Sequence, residues 1–194
     1  MAKILLIDTS TEVCLVALSE NNQVIASRID TNGQNHSKLI GTFVQEVLQE
    51  AGFTAHQLDA VALSAGPGSY TGLRIGTSFV KGLCFGANIK VITLPTLQVL
   101  AQEALLQNTN IESNAHLCPM IDARRMEVYT AMYDAELNQI SPAEAKIIDE
   151  NSFAEILQNK KVYFFGNGAE KCKPFITHEN AIFLDDVYPL ATSM

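Results

Sequence analysis

The chain has 194 residues, of which 47% are hydrophobic and 18% are charged, so it is long enough to bury a real core in one large or two small domains. Its formal net charge is −8, and its 13 lysines and arginines are spread along the sequence. Proteins that bind nucleic acid alone gather basic residues on one face, so strong RNA binding by this chain alone is not expected. No apolar run approaches the length of a membrane span, and the four scattered cysteines favour a reducing compartment, so a cytoplasmic protein is expected.

The first third of the sequence predicts a strand meander followed by a helix. The apolar run at 3–8 predicts a buried strand, and 13–19 and 24–29 predict two further strands joined by turn residues. From 37 to 51, apolar residues recur at helical spacing, and Gly52 stands where a C-cap belongs. The chain is therefore expected to begin with a three-stranded meander and an amphipathic helix.

A glycine-rich loop connects the next predicted strand, at 59–64, to a second helix at 73–87. Gly66 and Gly68 permit a sharp exit from the strand, and Ser69 can cap the helix. Such a loop can hold an anion at the helix N-terminus. It lacks the lysine of a GxxxxGK[ST] phosphate loop, which excludes nucleotide hydrolysis by that route.

The opening pattern recurs in the second half of the sequence. The strand that ends at Asp8 resembles the strand that ends at Asp122, and each is followed by a short turn and another strand. The other predicted elements are strands at 90–93, 161–165 and 182–184 and helices at 95–106 and 153–157. With the polar stretch 108–115 as a boundary, the repeat predicts two related lobes, 1–107 and 108–194. The second lobe is expected to be truncated, because its last residues predict the start of a further helix.

Two polar turns follow the two related strands. The first has short side chains whose hydroxyls and amides can cradle a phosphate, although an ordinary turn has the same composition. The residues of this candidate phosphate loop, interpreted as vestigial, are Asp8, Thr9, Ser10, Thr11, Gly66, Gly68 and Ser69. In the second turn Arg124 and Arg125 replace the hydroxyls, and their bulk is expected to crowd it. With Glu127 they predict either a salt-bridged solvated face or a contact with a partner or ligand.

The second predicted helix is apolar or small almost all round. A surface helix shows one apolar stripe, so a helix that is apolar on both sides must be covered on both. Two interpretations stay open: both helices lie inside one chain, or they meet counterparts on another subunit. For the second, the predicted contact residues are Leu39, Phe43, Val47, Gly72, Arg74, Ile75, Gly76, Phe79 and Leu83.

Four segments together resemble one known family. They are IDTST at 7–11, Asn35-His36-Ser37, GPGSYTGLRIG at 66–76 and DARRMEVY at 122–129. In order and spacing they are similar to the TsaB (YeaZ) family across nearly the whole chain. The resemblance implies a two-lobed α/β fold of the actin-like (ASKHA, ribonuclease H-like) type, with a mixed sheet flanked by helices in each lobe.

The resemblance also implies a function. Members of this family are regarded as non-catalytic scaffolds that pair with the related subunit TsaD and help to recruit TsaE. Together they form threonylcarbamoyladenosine next to the anticodon of tRNAs that read codons starting with A. The implied partners are TsaD and TsaE, with a homodimer when TsaD is absent and tRNA contacted only through the complex. No cofactor is required, and weak nucleotide binding stays open.

Two rival functions remain for the same fold: an ATP-dependent or metallopeptidase-like (glycoprotease) enzyme, and a stand-alone chaperone. The catalytic relatives hold a metal with two histidines four residues apart on a helix. The histidines here are His36, His56, His116 and His178, so no such pair exists. The resemblance therefore implies a chain without the metal site and without catalysis of its own.

Overall fold

A computed structural model of the protein describes residues 2–33, 35–190 and 193–194. The chain divides into two compact units, Met1–Thr96 with Pro189–Met194, and Leu97–Tyr188. The predicted boundary between 107 and 108 is corrected, because the third helix packs into the second unit. Its apolar residues, such as Leu97 and Leu100, share a core with the strands of that unit.

The first unit is built on a five-stranded mixed sheet. Its strands are β1 (Lys3–Asp8), β2 (Cys14–Glu20), β3 (Gln23–Asp30), β4 (Ala60–Ser64) and β5 (Lys90–Leu94), and its helices are α1 (His36–Ala51) and α2 (Tyr70–Ala87). The strand order is β3-β2-β1-β4-β5. β1 pairs antiparallel with β2 and parallel with β4, which in turn pairs parallel with β5. The predicted meander and both helices are thus present.

The core of the first unit lies between one face of this sheet and the two helices. Alternate residues of β1, such as Leu5 and Ile7, are fully buried against Val47 of α1 and Val80 of α2. Alternate residues of a strand lie on the same face of the sheet, and the apolar stripe of each helix packs against that face. The two helices therefore turn their opposite faces away from the sheet.

The end of α1 and the start of α2 carry the caps that the sequence predicts, whereas the start of α1 has no side-chain cap. α1 ends at Gly52, whose φ of 72° is the left-handed conformation that glycine adopts without strain. α2 starts at Tyr70, earlier than predicted, because the Ser69 side chain accepts a hydrogen bond from the Gly72 amide. α1 begins at His36. Asn35 stands at the N-cap position, but its side chain forms no capping hydrogen bond.

The second unit repeats the topology of the first. Its strands are β6 (His116–Asp122), β7 (Glu127–Tyr133), β8 (Gln139–Ile147), β9 (Val162–Phe165) and β10 (Ala181–Phe183), with α3 (Thr96–Gln107) and the short α4 (Ala154–Leu157). Their order is β10-β9-β6-β7-β8. As β1 does, β6 pairs antiparallel with the next strand and parallel with a later one. The predicted internal repeat is confirmed strand by strand.

Within the described ranges, every helix falls short of the length and apolarity that crossing a membrane demands. The predicted start of a further helix at the end of the sequence falls partly on Ala191 and Thr192, which lie outside the described residues.

Candidate partner-binding surface and a closed polar turn

The turn between β1 and β2 is buried, and its polar side chains form hydrogen bonds with groups of the protein. Asp8, Thr9 and Ser10 are fully buried. The Ser10 amide and hydroxyl both donate to Asp8 Oδ1 at 2.8 Å, and the Ser64 hydroxyl donates to Asp8 Oδ2. The Thr9 hydroxyl donates to the Gly72 carbonyl at 2.8 Å. The hydroxyls expected to face a phosphate therefore face protein groups.

The start of α2 lies directly on this turn. A Cβ built on Gly68 would stand 2.2 Å from the Ser10 carbonyl oxygen, and one on Gly72 would stand 2.0 Å from the Thr9 carbonyl oxygen. The Ser69 amide donates to the Ser10 carbonyl at 2.7 Å. The predicted phosphate-loop residues thus lie close together, but they contact one another and do not surround an open cradle. The glycines admit the backbone of the same chain.

Gly66, the remaining predicted loop residue, turns the chain at the end of β4. Its φ of 106° is a conformation that side-chain-bearing residues rarely adopt. Its amide donates to the Thr96 hydroxyl at 3.1 Å, and its carbonyl accepts from the Thr96 amide at 2.9 Å. Gly66 therefore holds the loop against Thr96, the last residue of this part of the first unit.

Three predicted partner contacts are corrected by this packing. Val47 is fully buried in the first core. Gly72 and Gly76 are buried against Thr9, with the Cβ of a residue at 76 only 2.3 Å from Thr9 Oγ1. Helical spacing groups these residues with the interface positions, but it cannot tell which face lies on the sheet.

Burial controls the electrostatics of the turn. The pKa of Asp8 is raised above its ordinary value of 3.8, chiefly because burial removes the carboxylate from water. Hydrogen bonds from Ser64 and Ser10 act in the opposite direction and are outweighed. The folded state therefore binds a proton at Asp8 more tightly than the unfolded chain does.

The sign of this shift predicts a pH dependence of stability. The free energy of unfolding of the wild type, relative to Asp8→Asn, is expected to fall as pH rises from about 4 through the folded-state pKa of Asp8. Below that range Asp8 is protonated in both states and carries no penalty. Within the range only the unfolded chain ionises, and above it the folded state holds a carboxylate that burial has removed from water. Urea unfolding of both proteins across the pH range measures the difference. A difference that stays flat, or that grows in favour of the wild type, would contradict the shift.

The equivalent turn between β6 and β7 is exposed and differently held. Arg124 and Arg125 adopt left-handed φ values of 73° and 46°. The Lys171 ammonium donates to the carbonyls of Arg125 and Glu127 at 2.8 and 2.7 Å and pairs with Asp122. Sequence reasoning missed Lys171, because nothing in the local pattern indicates that it reaches back to this turn.

The arginines of this turn do not crowd it as predicted, because both side chains are exposed. Across the part of the chain that the structure describes, neither Arg124 nor Arg125 forms an ion pair. The salt-bridged interpretation of these residues is therefore wrong. Lys171 supplies the positive charge that holds the turn.

The outer faces of α1 and α2 form the candidate site, named here the helix-pair surface. It consists of the exposed residues Lys38, Thr42, Gln45 and Gln49 of α1 and Tyr70, Thr71, Arg74, Thr77, Ser78, Lys81, Gly82, Phe85 and Gly86 of α2. Phe85 is 92% exposed and Tyr70 is 69% exposed. A Cβ built on Gly82 or Gly86 would meet nothing within 4 Å. Two large aromatic side chains therefore stand in the open beside residues that allow close approach.

The remaining predicted contact residues lie at the edges of this surface. Leu39, Phe43, Ile75, Phe79 and Leu83 are half-buried, and all but Leu39 pack on the first core. The Phe79 ring lies across Gly41, 3.7 Å from a Cβ built there, and so fills the seam between the helices. Tyr70 and Phe85, the most exposed aromatics of α2, were missed because helical spacing does not reveal exposure.

No cluster of three metal-binding side chains occurs within the described residues. His36 is buried, and its Nε2 lies 2.9 Å from the Thr11 carbonyl oxygen, which fixes the start of α1 on the turn. All four cysteines are buried, and burial raises the pKa of Cys14 to about 11 and that of Cys118 to about 12. These thiols are small core residues.

Comparisons with known proteins show the family to which the chain is similar. The family described as TsaD, tRNA N6-adenosine threonylcarbamoyltransferase, matches residues 23–184. The tRNA threonylcarbamoyladenosine biosynthesis protein TsaB of Escherichia coli K12 is 37% identical over 138 residues, 71% of this chain and 58% of that protein. TsaB of Bacillus subtilis 168 is 30% identical over 178 residues, covering 89% of this chain and 74% of that protein. The chain thus spans little more than half the length of the first of these relatives.

Solved structures show the same fold. YeaZ from Pseudomonas aeruginosa superposes over the whole chain and 88% of its own length, with a TM-score of 0.86 and 26% identity. EutJ from Carboxydothermus hydrogenoformans, at 12% identity and a TM-score of 0.56, shares the fold alone. The predicted actin-like α/β fold is confirmed. The chain belongs to the TsaB (YeaZ) family.

Proposed function

We propose that this chain is a non-catalytic scaffold subunit for threonylcarbamoylation of tRNA adenosine, and that it pairs with TsaD through the helix-pair surface. The observation that carries the proposal is the exposure of Phe85 and Tyr70 on α2, beside glycines with open space above them. The names of the relatives supply the pathway, since they are called tRNA threonylcarbamoyladenosine biosynthesis proteins. By the same resemblance, the substrates are tRNAs that read codons starting with A.

The helix-pair surface is large enough and apolar enough to dock another subunit. Exposed aromatic side chains are enriched at protein interfaces, and stable specific interfaces bury roughly 800 Å² per partner. Two helices of 16 and 18 residues side by side offer an area of that order. Glycines at the surface of α2 admit a second helix at short distance. A helical bundle with another subunit fits this shape.

The absence of catalysis and cofactor is part of the proposal. In the first turn the Ser10 amide and hydroxyl donate to Asp8, and the Thr9 hydroxyl donates to the Gly72 carbonyl of α2, so we expect no nucleotide phosphate to bind there. Recruitment of TsaE, self-pairing when TsaD is absent and a cytoplasmic location follow from the resemblance and belong to the same proposal. Contact with tRNA is expected only through the complex, because the net charge is −8.

The direct test is Phe85→Asp. Because Phe85 is 92% exposed, the variant is expected to keep the melting temperature of the wild type. Its affinity for TsaD is expected to fall by about thirtyfold or more, as for a central aromatic contact. Calorimetric titration and thermal unfolding measure the two quantities. Ile147→Asp is the matched control for affinity, because Ile147 is 72% exposed on β8 of the second unit and the variant is expected to leave the affinity unchanged. Its melting temperature is expected to fall slightly, because residue 147 lies opposite Glu127 in the strand pair.

Two results would overturn the proposal. Phe85→Asp with wild-type affinity for TsaD would exclude the helix-pair surface as the docking site. Turnover of Mg-ATP or of a peptide by the purified chain would favour the enzyme alternative. Val47→Asp is unsuitable for this purpose, because Val47 is fully buried and the variant is expected to unfold.

A further inference from the structure

The helix-pair surface has an unusual charge for this chain. The sequence carries 21 acidic and 13 basic residues, yet α2 contains no acidic residue and two basic ones, Arg74 and Lys81. Both side chains are exposed. The exposed stripe of α1 adds Lys38 and no carboxylate. A predominantly acidic protein therefore presents only positive charge on this one surface.

The carboxylates of α1 do not cancel this charge. Glu46 and Glu50 lie one turn apart and both pair with Arg28 of β3, at 2.7 and 2.8 Å. They are therefore held at the side of α1 that faces β3. The exposed stripe of α1, at 38, 42, 45 and 49, follows a different line along the helix. Its only charge is the Lys38 ammonium.

The cations of α2 are placed between the exposed aromatic residues. Tyr70, Arg74, Ser78, Lys81 and Phe85 follow one another at spacings of four, four, three and four residues and so share one stripe. The Arg74 guanidinium lies over the Tyr70 ring, 4.2 Å from its centroid. This stacking fixes the guanidinium and leaves its edge available for a carboxylate, which it can bind in a bidentate manner.

We infer that the helix-pair surface selects a partner with an acidic helical face, and that its positive charge disfavours pairing with a second copy of this chain. The inference rests on the proposed function, because it concerns the same surface. A symmetric dimer places the same patch on both sides of the interface, so the positive set Lys38, Arg74 and Lys81 of one copy would face the same positive set of the other. Like charges across an interface are repulsive, whereas carboxylates on a different subunit would pair with them.

Reversing the charges of Arg74 and Lys81 tests whether the partner presents an acidic face. The wild type is expected to lose affinity for TsaD between about 0.05 M and about 0.5 M salt, because salt screens charge pairs. Arg74→Glu with Lys81→Glu is expected to weaken binding by about tenfold or more and to remove this salt-dependent loss. Arg74→Lys with Lys81→Arg keeps both charges and is expected to bind within about threefold of the wild type. Lys160→Glu makes the same change at a lysine of the second unit that forms no ion pair among the described residues and is expected to have no effect.

Mixing the wild type with the doubly reversed variant tests whether positive charge weakens the dimer. Sedimentation of wild type with the doubly reversed variant, without TsaD, is expected to show a mixed dimer about tenfold tighter than the wild-type dimer. Wild-type dimers as tight as the mixed dimer would overturn the inference. So would tRNA binding by the chain alone that the double reversal abolishes, because it would assign the surface to RNA.

The two proposals fail in different ways. If the double reversal leaves TsaD affinity unchanged while Phe85→Asp abolishes it, charge selection is wrong and the docking surface stands. If Phe85→Asp also leaves affinity unchanged, the docking surface itself is wrong.

Discussion

Gly72→Ala is expected to lower the free energy of unfolding by about 3 kcal/mol or more, or to prevent folding of the first unit. The new Cβ would stand 2.0 Å from the carbonyl oxygen of Thr9 and 3.2 Å from its carbonyl carbon. Both atoms belong to the backbone of a fully buried turn, so neither can move as a flexible side chain does. Relief would require α2 to lift from the turn and lose its packing on the sheet. Urea unfolding measures the loss.

Gly82→Ala in the same helix is the matched control, and its expected effect has the opposite sign. A Cβ at this position meets nothing within 4 Å, and alanine favours the helix over glycine by up to about 1 kcal/mol. The stability should therefore rise slightly or stay the same. Equal losses in the two variants would mean that α2 does not lie on the turn as described.

Asp8→Ala has the second large expected effect, a loss of about 3 kcal/mol or more in the free energy of unfolding. The substitution removes the acceptor of the Ser10 amide, the Ser10 hydroxyl and the Ser64 hydroxyl. Ser10 and Ser64 are buried, so water cannot replace the carboxylate. Removal of the desolvated carboxylate offsets part of the cost. Urea unfolding at neutral pH measures the net change.

The internal repeat supplies the control for this experiment. Asp122 occupies the equivalent place at the end of β6, but its side chain is exposed and its contacts are with the Lys171 ammonium and the Arg124 amide. Asp122→Ala is expected to change stability by at most about 1 kcal/mol. If the two aspartates cost the same, the contrast between a closed first turn and an open second turn would be wrong.

The repeated strands were predictable because their signal is local. An apolar run ending in aspartate, then a turn and a second strand, recurs at Asp8 and at Asp122, and both copies form the same five-stranded arrangement. The cap at Ser69 and the left-handed end at Gly52 depend only on neighbouring residues, and both are present. Elements governed by such short-range chemistry can be predicted from sequence.

The division into units was less predictable. The polar stretch 108–115, which follows α3 in the sequence, places this helix in the first predicted lobe. Its buried residues Leu97, Leu100 and Ala104 instead join Leu117 of β6 in the second core. Covalent continuity did not indicate which core would bury the apolar face of this helix. That choice depends on contacts between residues distant in sequence.

By itself, the sequence determined the fold family, the repeat and the two helices that carry the candidate surface. Only the tertiary structure decided which side of each helix is covered: Val47, Gly72 and Gly76 face the interior, whereas Tyr70, Arg74 and Phe85 face outward. The physical reason is that helical periodicity fixes which residues share a face, while the sheet and turn beneath determine which face loses contact with water.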